Sequence, residues 1–86
     1  MTIFLLFGTD GCHLCEDAEQ LLLRAGLSFD KQDIMADEQW QQRYAIRIPV
    51  LLHLPSGSEL GWPFDAERVR DFLVQIGVES GSEISR

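Results

Sequence analysis

The feature that most constrains the fold is a short apolar segment that leads directly into a pair of cysteines. Residues 2–7 (TIFLLF) are β-branched, aromatic and aliphatic and are followed by Gly8, which predicts a strand buried on both faces. Turn residues (TDG) come next, and then Cys12 and Cys15, the only cysteines in the chain. A pair at this spacing is a redox couple, half of a metal site, or two small core residues.

A helix is predicted to start at the first cysteine. Apolar residues recur at the spacing of one helical face from Cys12 to Ala25. These residues are Leu14, Ala18, Leu21, Leu22 and Ala25. Glu16 and Asp17 fall in the first turn, where the helix dipole favours acids, and Gly26 is placed to end the helix.

The rest of the chain continues the alternation of strands and helices. The predicted elements are a strand at 27–33, a short helix at 37–44, a strand at 48–54, a PSGS turn, and a strand at 59–62. Asp65 is expected to cap a last helix, which Gly77 ends. Its apolar face consists of Val69, Phe72, Leu73 and Ile76.

This order, β-α-β-α-β-β-α, predicts an α/β fold. The first crossover should be right-handed and pair its two strands in parallel, and the last two strands should form a hairpin. A mixed four-stranded sheet with helices on both faces would bury all the apolar stripes. The chain of 86 residues suits one domain, placed at 1–78 and followed by a polar tail at 79–86.

The charge of the chain limits its partners. A net charge of -7, from 7 basic and 14 acidic residues, makes binding to nucleic acid or to an anionic membrane surface unfavourable. The apolar run at 3–7 is too short to span a bilayer, and no basic residue precedes it as in a secretory signal. The expectation is a soluble, cytoplasmic monomer that binds neither nucleic acid nor membrane.

The position of the cysteine pair favours redox chemistry. A C-x-x-C motif at a strand–helix junction is the redox context, and the helix N-terminus stabilises a thiolate at Cys12. Cys15 lies one turn further on, so the two sulfur atoms can bond with little movement. A zinc site needs about four ligands, and the remaining candidates are acids and two histidines far apart in sequence, His13 and His53.

Charged residues around the motif act in opposite directions. His13 lies between the cysteines, where an imidazolium would favour a nearby thiolate; a residue that only faces solvent is an equal alternative. Four acids oppose the thiolate. They are Asp10, Glu16, Asp17 and Glu19.

The segment YAIRIPVLL places Pro49 at the start of the third strand. A proline suits the start of an edge strand because it lacks a backbone N–H, and it can also adopt a cis peptide bond at modest cost. The residues alone favour the trans alternative.

Taken together, the C-x-x-C motif, the IP dipeptide and the order of elements resemble the thioredoxin superfamily. The GTDGCHLC start and the IPVL segment are similar to the small bacterial glutaredoxin-like family over residues 2–76. The resemblance implies that Cys12 is the nucleophile and Cys15 the resolving cysteine. It also implies that Pro49 is a cis-proline packed against them, and that Ile48 offers its backbone N–H and C=O to an extended substrate.

The resemblance extends in part to glutathione binding. The segment LGWPFD aligns with the glutaredoxin Gly-Gly-x-x-Asp turn, with matches at Gly61 and Asp65, but Trp62 replaces the second glycine. The lysine that glutaredoxins commonly carry three residues before the first cysteine is Thr9 here. Arg47, with Arg43 beside it, is the basic residue expected near the site.

The sequence therefore predicts a thiol–disulfide oxidoreductase that uses Cys12 and Cys15 and holds no bound cofactor. Its expected partner is a disulfide-containing protein or a small thiol substrate. Glutathione is the reductant that the family implies, and the acidic surroundings predict that it binds weakly. The alternative is a non-catalytic module of the same fold that binds a protein or a metal.

Overall fold

The computed structural model describes residues 3–77 of the chain. The elements in this range are β1 (Phe4–Gly8), α1 (His13–Arg24), β2 (Asp30–Asp33), α2 (Glu38–Tyr44), β3 (Val50–His53), β4 (Ser58–Gly61) and α3 (Ala66–Gln75). A 3-10 helix at Ile34–Ala36, which the sequence analysis missed, joins β2 to α2. The polar tail predicted at 79–86 lies outside the described residues.

The four strands form one mixed sheet in the order β2-β1-β3-β4. β1 and β2 are parallel, as the crossover prediction required, and β3 and β4 form the predicted antiparallel hairpin. β1 also pairs with β3 in an antiparallel ladder, which joins the two halves of the chain. The predicted α/β fold is confirmed.

Alternate residues of the central strands supply two cores, one on each face of the sheet. One core packs α1 and α3 against the sheet and contains Phe4, Leu6, Ala18, Leu22, Leu51, Leu60, Phe64, Val69 and Phe72. The other, on the α2 side, contains Phe7, Ile34, Tyr44 and Val50. Helices therefore cover both faces, as predicted. Among residues 3–77, none of the helices has the length and apolar character that crossing a membrane requires.

The C-terminal end of α1 explains why β2 begins later than predicted. Gly26 has a φ of +79°, which favours glycine, and its N–H donates to the Leu23 carbonyl. The N–H of Leu27 reaches back to the Leu22 carbonyl at 3.1 Å, the pattern of a Schellman cap. Because Leu27 belongs to the end of the helix, the strand begins only at Asp30, and the predicted start at residue 27 is wrong.

Aspartates cap the two other helices. Asp37 accepts hydrogen bonds from the Gln39 and Trp40 N–H groups, so α2 begins one residue after the predicted start. Asp65 accepts from the Arg68 N–H at 2.9 Å and caps α3, as predicted. Both helices therefore begin directly after an aspartate that caps them through hydrogen bonds to N–H groups two or three residues further on.

The dithiol as candidate functional site

Cys12 and Cys15 are joined by a disulfide at the N-terminus of α1. Cys12 is the N-cap residue, with an extended backbone, and its Sγ accepts a hydrogen bond from the Cys15 N–H at 3.2 Å. The two Cα atoms are 5.2 Å apart, within the ordinary disulfide range, and both residues are half-buried. The N–H that meets Cys12 Sγ would also stabilise a thiolate there.

Gly8, at the end of β1, makes room for Cys15, and the sequence analysis missed this role. A Cβ atom at position 8 would lie 3.2 Å from Cys15 Cβ, a tight contact, and 2.9 Å from Cys15 Sγ, which is closer than real Cβ atoms approach. Any larger residue would therefore push the Cys15 sulfur out of place. The signal in the sequence was only a glycine at the end of an apolar strand.

The rest of α1 anchors the motif. Ala18 and Leu22 are fully buried one to two turns beyond Cys15, which fixes the helix on the sheet. Leu14 and Ala25, predicted to lie on the same buried face, are exposed, Leu14 by 48%. Those two assignments are wrong: the Leu14 side chain is exposed in the first turn, and Ala25 is the C-cap residue of the helix.

A groove of about 300 Å³ opens beside the two cysteines, between the first turns of α1 and the adjoining ends of β1 and β2. We call it the dithiol groove. Its charged lining consists of Asp10, Glu16, Glu19, Asp33 and Lys31. Lys31 Nζ lies 3.3 Å from Glu19 Oε2.

Pro49 is fully buried, and the Ile48–Pro49 peptide bond is cis. The Pro49 carbonyl accepts a hydrogen bond from the Trp62 N–H at 3.1 Å. The N–H of Ile48 donates to the Tyr44 carbonyl at 3.0 Å, at the end of α2. That N–H is therefore occupied within the protein, and the substrate-binding role of Ile48 stays a prediction.

The turn that resembles a glutathione site lies along another flank of α1. Trp62 and Asp65 line a second groove with Arg24, whereas neither residue lines the dithiol groove. The Trp62 ring packs edge-on to Phe64, with 5.0 Å between ring centroids, and the Asp65 carboxylate caps α3. Gly61 pairs with Val50 in the β3–β4 ladder. The substrate roles of this turn stay predictions.

Comparison with known proteins identifies the family. The model of the Glutaredoxin-like domain (DUF836) family matches residues 4–74. The chain belongs to this family. This glutaredoxin-like protein is also similar to the X-ray structure of target protein XcR50 from X. campestris, with 40% identity and a TM-score of 0.78 over 84% of this chain and 96% of that one. No curated protein sequence matches it significantly.

More distant solved structures show the same fold. Protein Ne2328 from Nitrosomonas europaea is 24% identical, with a TM-score of 0.64 over 80% of this chain and 87% of that one. The glutaredoxin from Archaeoglobus fulgidus is 18% identical, with a TM-score of 0.60 over 85% of this chain and 87% of that one. At these identities the likeness establishes a thioredoxin-like fold alone.

The basic residues expected near the site of this glutaredoxin-like protein are held by a glutamate. Arg47 Nη2 lies 2.9 Å from Glu59 Oε1, and Arg43 Nη2 lies 3.5 Å from Glu59 Oε2. The hydroxyl of Tyr44 donates to Glu59 Oε2 at 2.6 Å, and both guanidinium groups lie over the Tyr44 ring. We call these four residues the arginine cluster. Its existence could not be inferred from the spacing of its members in the sequence.

The arginine cluster shifts two pKa values. Burial alone would raise the pKa of the Glu59 carboxyl, but the hydrogen bonds from Tyr44 and Arg47 and the two guanidinium charges lower it below its usual range. Burial raises the pKa of the Tyr44 hydroxyl, and its hydrogen bond to the Glu59 carboxylate raises it further. The carboxylate is therefore the stable form of Glu59 at neutral pH.

His53 lies at the far end of the sheet from the cysteines. It pairs with Phe4 at the start of β1, whereas Cys12 follows the end of that strand. Its buried ring contacts Phe4, and Nδ1 lies 2.7 Å from the Ser56 hydroxyl. His53 and the cysteines therefore cannot share one metal ion. Within residues 3–77, no group of three or more His, Cys, Asp or Glu residues is arranged to hold one.

Proposed function

We propose that this glutaredoxin-like protein is a dithiol–disulfide oxidoreductase in which Cys12 attacks and Cys15 resolves. The observation that carries the proposal is the bonded pair of half-buried cysteines at the N-terminus of α1, with the Cys15 N–H directed at Cys12 Sγ. The first attacking thiol should be the one that the helix terminus stabilises as a thiolate, and that residue is Cys12.

The proposed reaction needs no metal or bound cofactor. The Cys12 thiolate attacks one sulfur of a substrate disulfide R–S–S–R, forming Cys12–S–S–R and releasing R–S⁻. The Cys15 thiolate then attacks Cys12 Sγ, forming the Cys12–Cys15 disulfide and releasing the second half of the substrate. Two electrons pass from the protein to the substrate, and the two cysteine protons end on the released thiols. A separate thiol reductant must then restore the dithiol.

Glutathione is expected to be a poor reductant for this protein. It carries two carboxylates, and the acids of the dithiol groove oppose the approach of an anion. Position 9 offers threonine where the family commonly has lysine, and Glu59 holds Arg47. Trp62 adds bulk at the turn where the second glycine is expected.

The proposal is tested by replacing each cysteine separately. Cys12→Ser should abolish disulfide reduction because the attacking thiolate is lost. Cys15→Ser should instead accumulate a mixed disulfide with the substrate, detectable by intact mass, because no second thiol resolves it. A mixed disulfide that forms on Cys15 rather than Cys12 would reverse the roles. Full reductase activity in both variants, or a wild-type protein whose two thiols do not oxidise reversibly, would overturn the proposal.

A further inference from the structure

We infer that the preferred substrates of this dithiol are disulfides that carry positive charge beside their sulfur atoms and that enter through the dithiol groove. The inference rests on the proposed function, because it names the substrate class of the same site. What makes the groove a substrate site is the pair of sulfur-bearing residues in its wall. The charges that line the rest of the wall then determine which substrates enter easily.

The lining of the dithiol groove is strongly one-sided in charge. Four carboxylates border it, from Asp10, Glu16, Glu19 and Asp33, and one ammonium group, from Lys31. Lys31 already lies 3.3 Å from Glu19. Within residues 3–77, the other three carboxylates take part in no salt bridge. A substrate that brought its own positive charge would supply the missing partner.

The arginines of the arginine cluster do not offset the negative charge of the dithiol groove. The arginine cluster does not line the dithiol groove, and Glu59 binds both of its guanidinium groups. Glu59, which binds Arg47, pairs with Leu52, two ladder positions from the Val50–Gly61 pair beside Pro49. An anionic substrate at the dithiol groove therefore meets carboxylates that no arginine in the described part of the chain neutralises.

Positive charge on the substrate should favour the attack by Cys12. It raises the concentration of the substrate near the groove, and it stabilises the thiolate that leaves when the substrate disulfide breaks. A unit charge about 8 Å from another changes a rate roughly two- to threefold in water at low ionic strength. With three unpaired carboxylates, a cationic disulfide should react on the order of tenfold faster than a neutral one of similar size.

Three small disulfides of different charge test the inference. The reduced wild-type protein is mixed with cystamine, 2-hydroxyethyl disulfide or 3,3′-dithiodipropionate, which are cationic, neutral and anionic. The single-turnover rate of each is divided by its rate with dithiothreitol, which removes the intrinsic reactivity of the probe. The expected order is cystamine, then the neutral disulfide, then dithiodipropionate. The differences should shrink severalfold between about 0.01 M and 1 M salt, as screening increases. Peptide disulfides with lysine or glutamate beside the cysteine repeat the comparison for a protein substrate.

A matched pair of aspartates on β2 provides the control. Asp33 lines the groove, whereas Asp30, at the other end of the same strand, does not. Asp33→Asn should reduce the preference for cystamine roughly two- to threefold, and Asp30→Asn should leave it unchanged. Equal normalised rates for the three probes would overturn the inference while leaving the proposed function intact. If none of the three oxidises the dithiol, the proposed function fails and the inference with it.

Discussion

The dithiol groove and the arginine cluster both gather charged residues, but they treat those residues in opposite ways. In the arginine cluster, Glu59 binds Tyr44, Arg43 and Arg47, and its side chain is only 15% exposed. In the dithiol groove, the single ammonium group pairs with Glu19, and the other three carboxylates form no salt bridge with any residue of the range 3–77. Charges that satisfy one another stabilise the fold, whereas charges left without partners remain available to a ligand.

This difference suggests that the arginine cluster contributes to the stability of the fold, whereas the dithiol groove contributes to the chemistry of the cysteines. The arginine cluster joins α2 and the segment before Pro49 to β4, which is distant from both in sequence. The dithiol groove is formed around the two cysteines that change their covalent bonds in the proposed function. Damage to the cluster should therefore lower stability and leave dithiol chemistry intact, and damage around the groove should do the reverse.

The largest expected effect on stability comes from Tyr44→Phe. The change removes the hydrogen bond to Glu59 while keeping the ring stacked on Phe7. A hydrogen bond to a charged group contributes about 2 kcal/mol, so the free energy of unfolding should fall by about that amount. Urea denaturation of the oxidised protein measures it. The equilibrium of the dithiol with dithiothreitol should not change. A shift in that equilibrium as large as the loss of stability would show that the arginine cluster and the dithiol are not independent.

An effect of similar size, but confined to the dithiol, is expected from Gly8→Ala. The new Cβ would press on Cys15 Sγ in the disulfide, whereas a free thiol can rotate away. Such overpacking costs about 1–3 kcal/mol, so the equilibrium with dithiothreitol should shift about tenfold or more toward the dithiol. Gly61→Ala is the matched control, since a Cβ there meets no atom within 4 Å. Equal equilibria in the two variants would show that Gly8 makes no room for the sulfur.

The smallest effect is a change in the pH dependence of stability in Glu59→Gln. The pKa of Glu59 is lowered in the folded protein, so its stabilising contribution is fully present above the unfolded value of about 4.3. The contribution is lost as the pH falls through the lower, folded pKa. At pH 7 the free energy of unfolding should be about 1 kcal/mol larger for the wild type than for the variant, and this difference should disappear in acid. Glu19→Gln, which removes the more exposed ion pair with Lys31, should give a smaller gap. A gap that widens in acid would contradict the assignment.

The parts of the fold that could be predicted depend on neighbours in sequence. Asp65 caps α3 and Gly26 ends α1 through hydrogen bonds that span only a few residues, so the residue types alone indicate them. The C-x-x-C pair was recognisable for the same reason, because one helical turn separates its members. Where a boundary was wrong, as at Leu27, a hydrogen bond to the preceding helix overrode the strand pattern.

The parts that could not be predicted depend on contacts between distant segments. Tyr44 and Glu59 are 15 residues apart and meet only because β4 returns beside the end of α2. Gly8 and Cys15 approach each other only once α1 is seated on the sheet. The pattern at Arg47 indicated a cation near the site, but only the fold reveals the carboxylate that binds it.

The outward-facing residues between the two cysteines have a consequence for protein engineering. His13 and Leu14 are exposed, while Ala18 and Leu22 hold the helix in place from further along. Saturation mutagenesis at positions 13 and 14 can therefore alter the electrostatics of the motif without disturbing the scaffold. If the dithiol acts as proposed, substitutions at these two positions should change how readily the disulfide is reduced, while the framework that holds the helix stays the same.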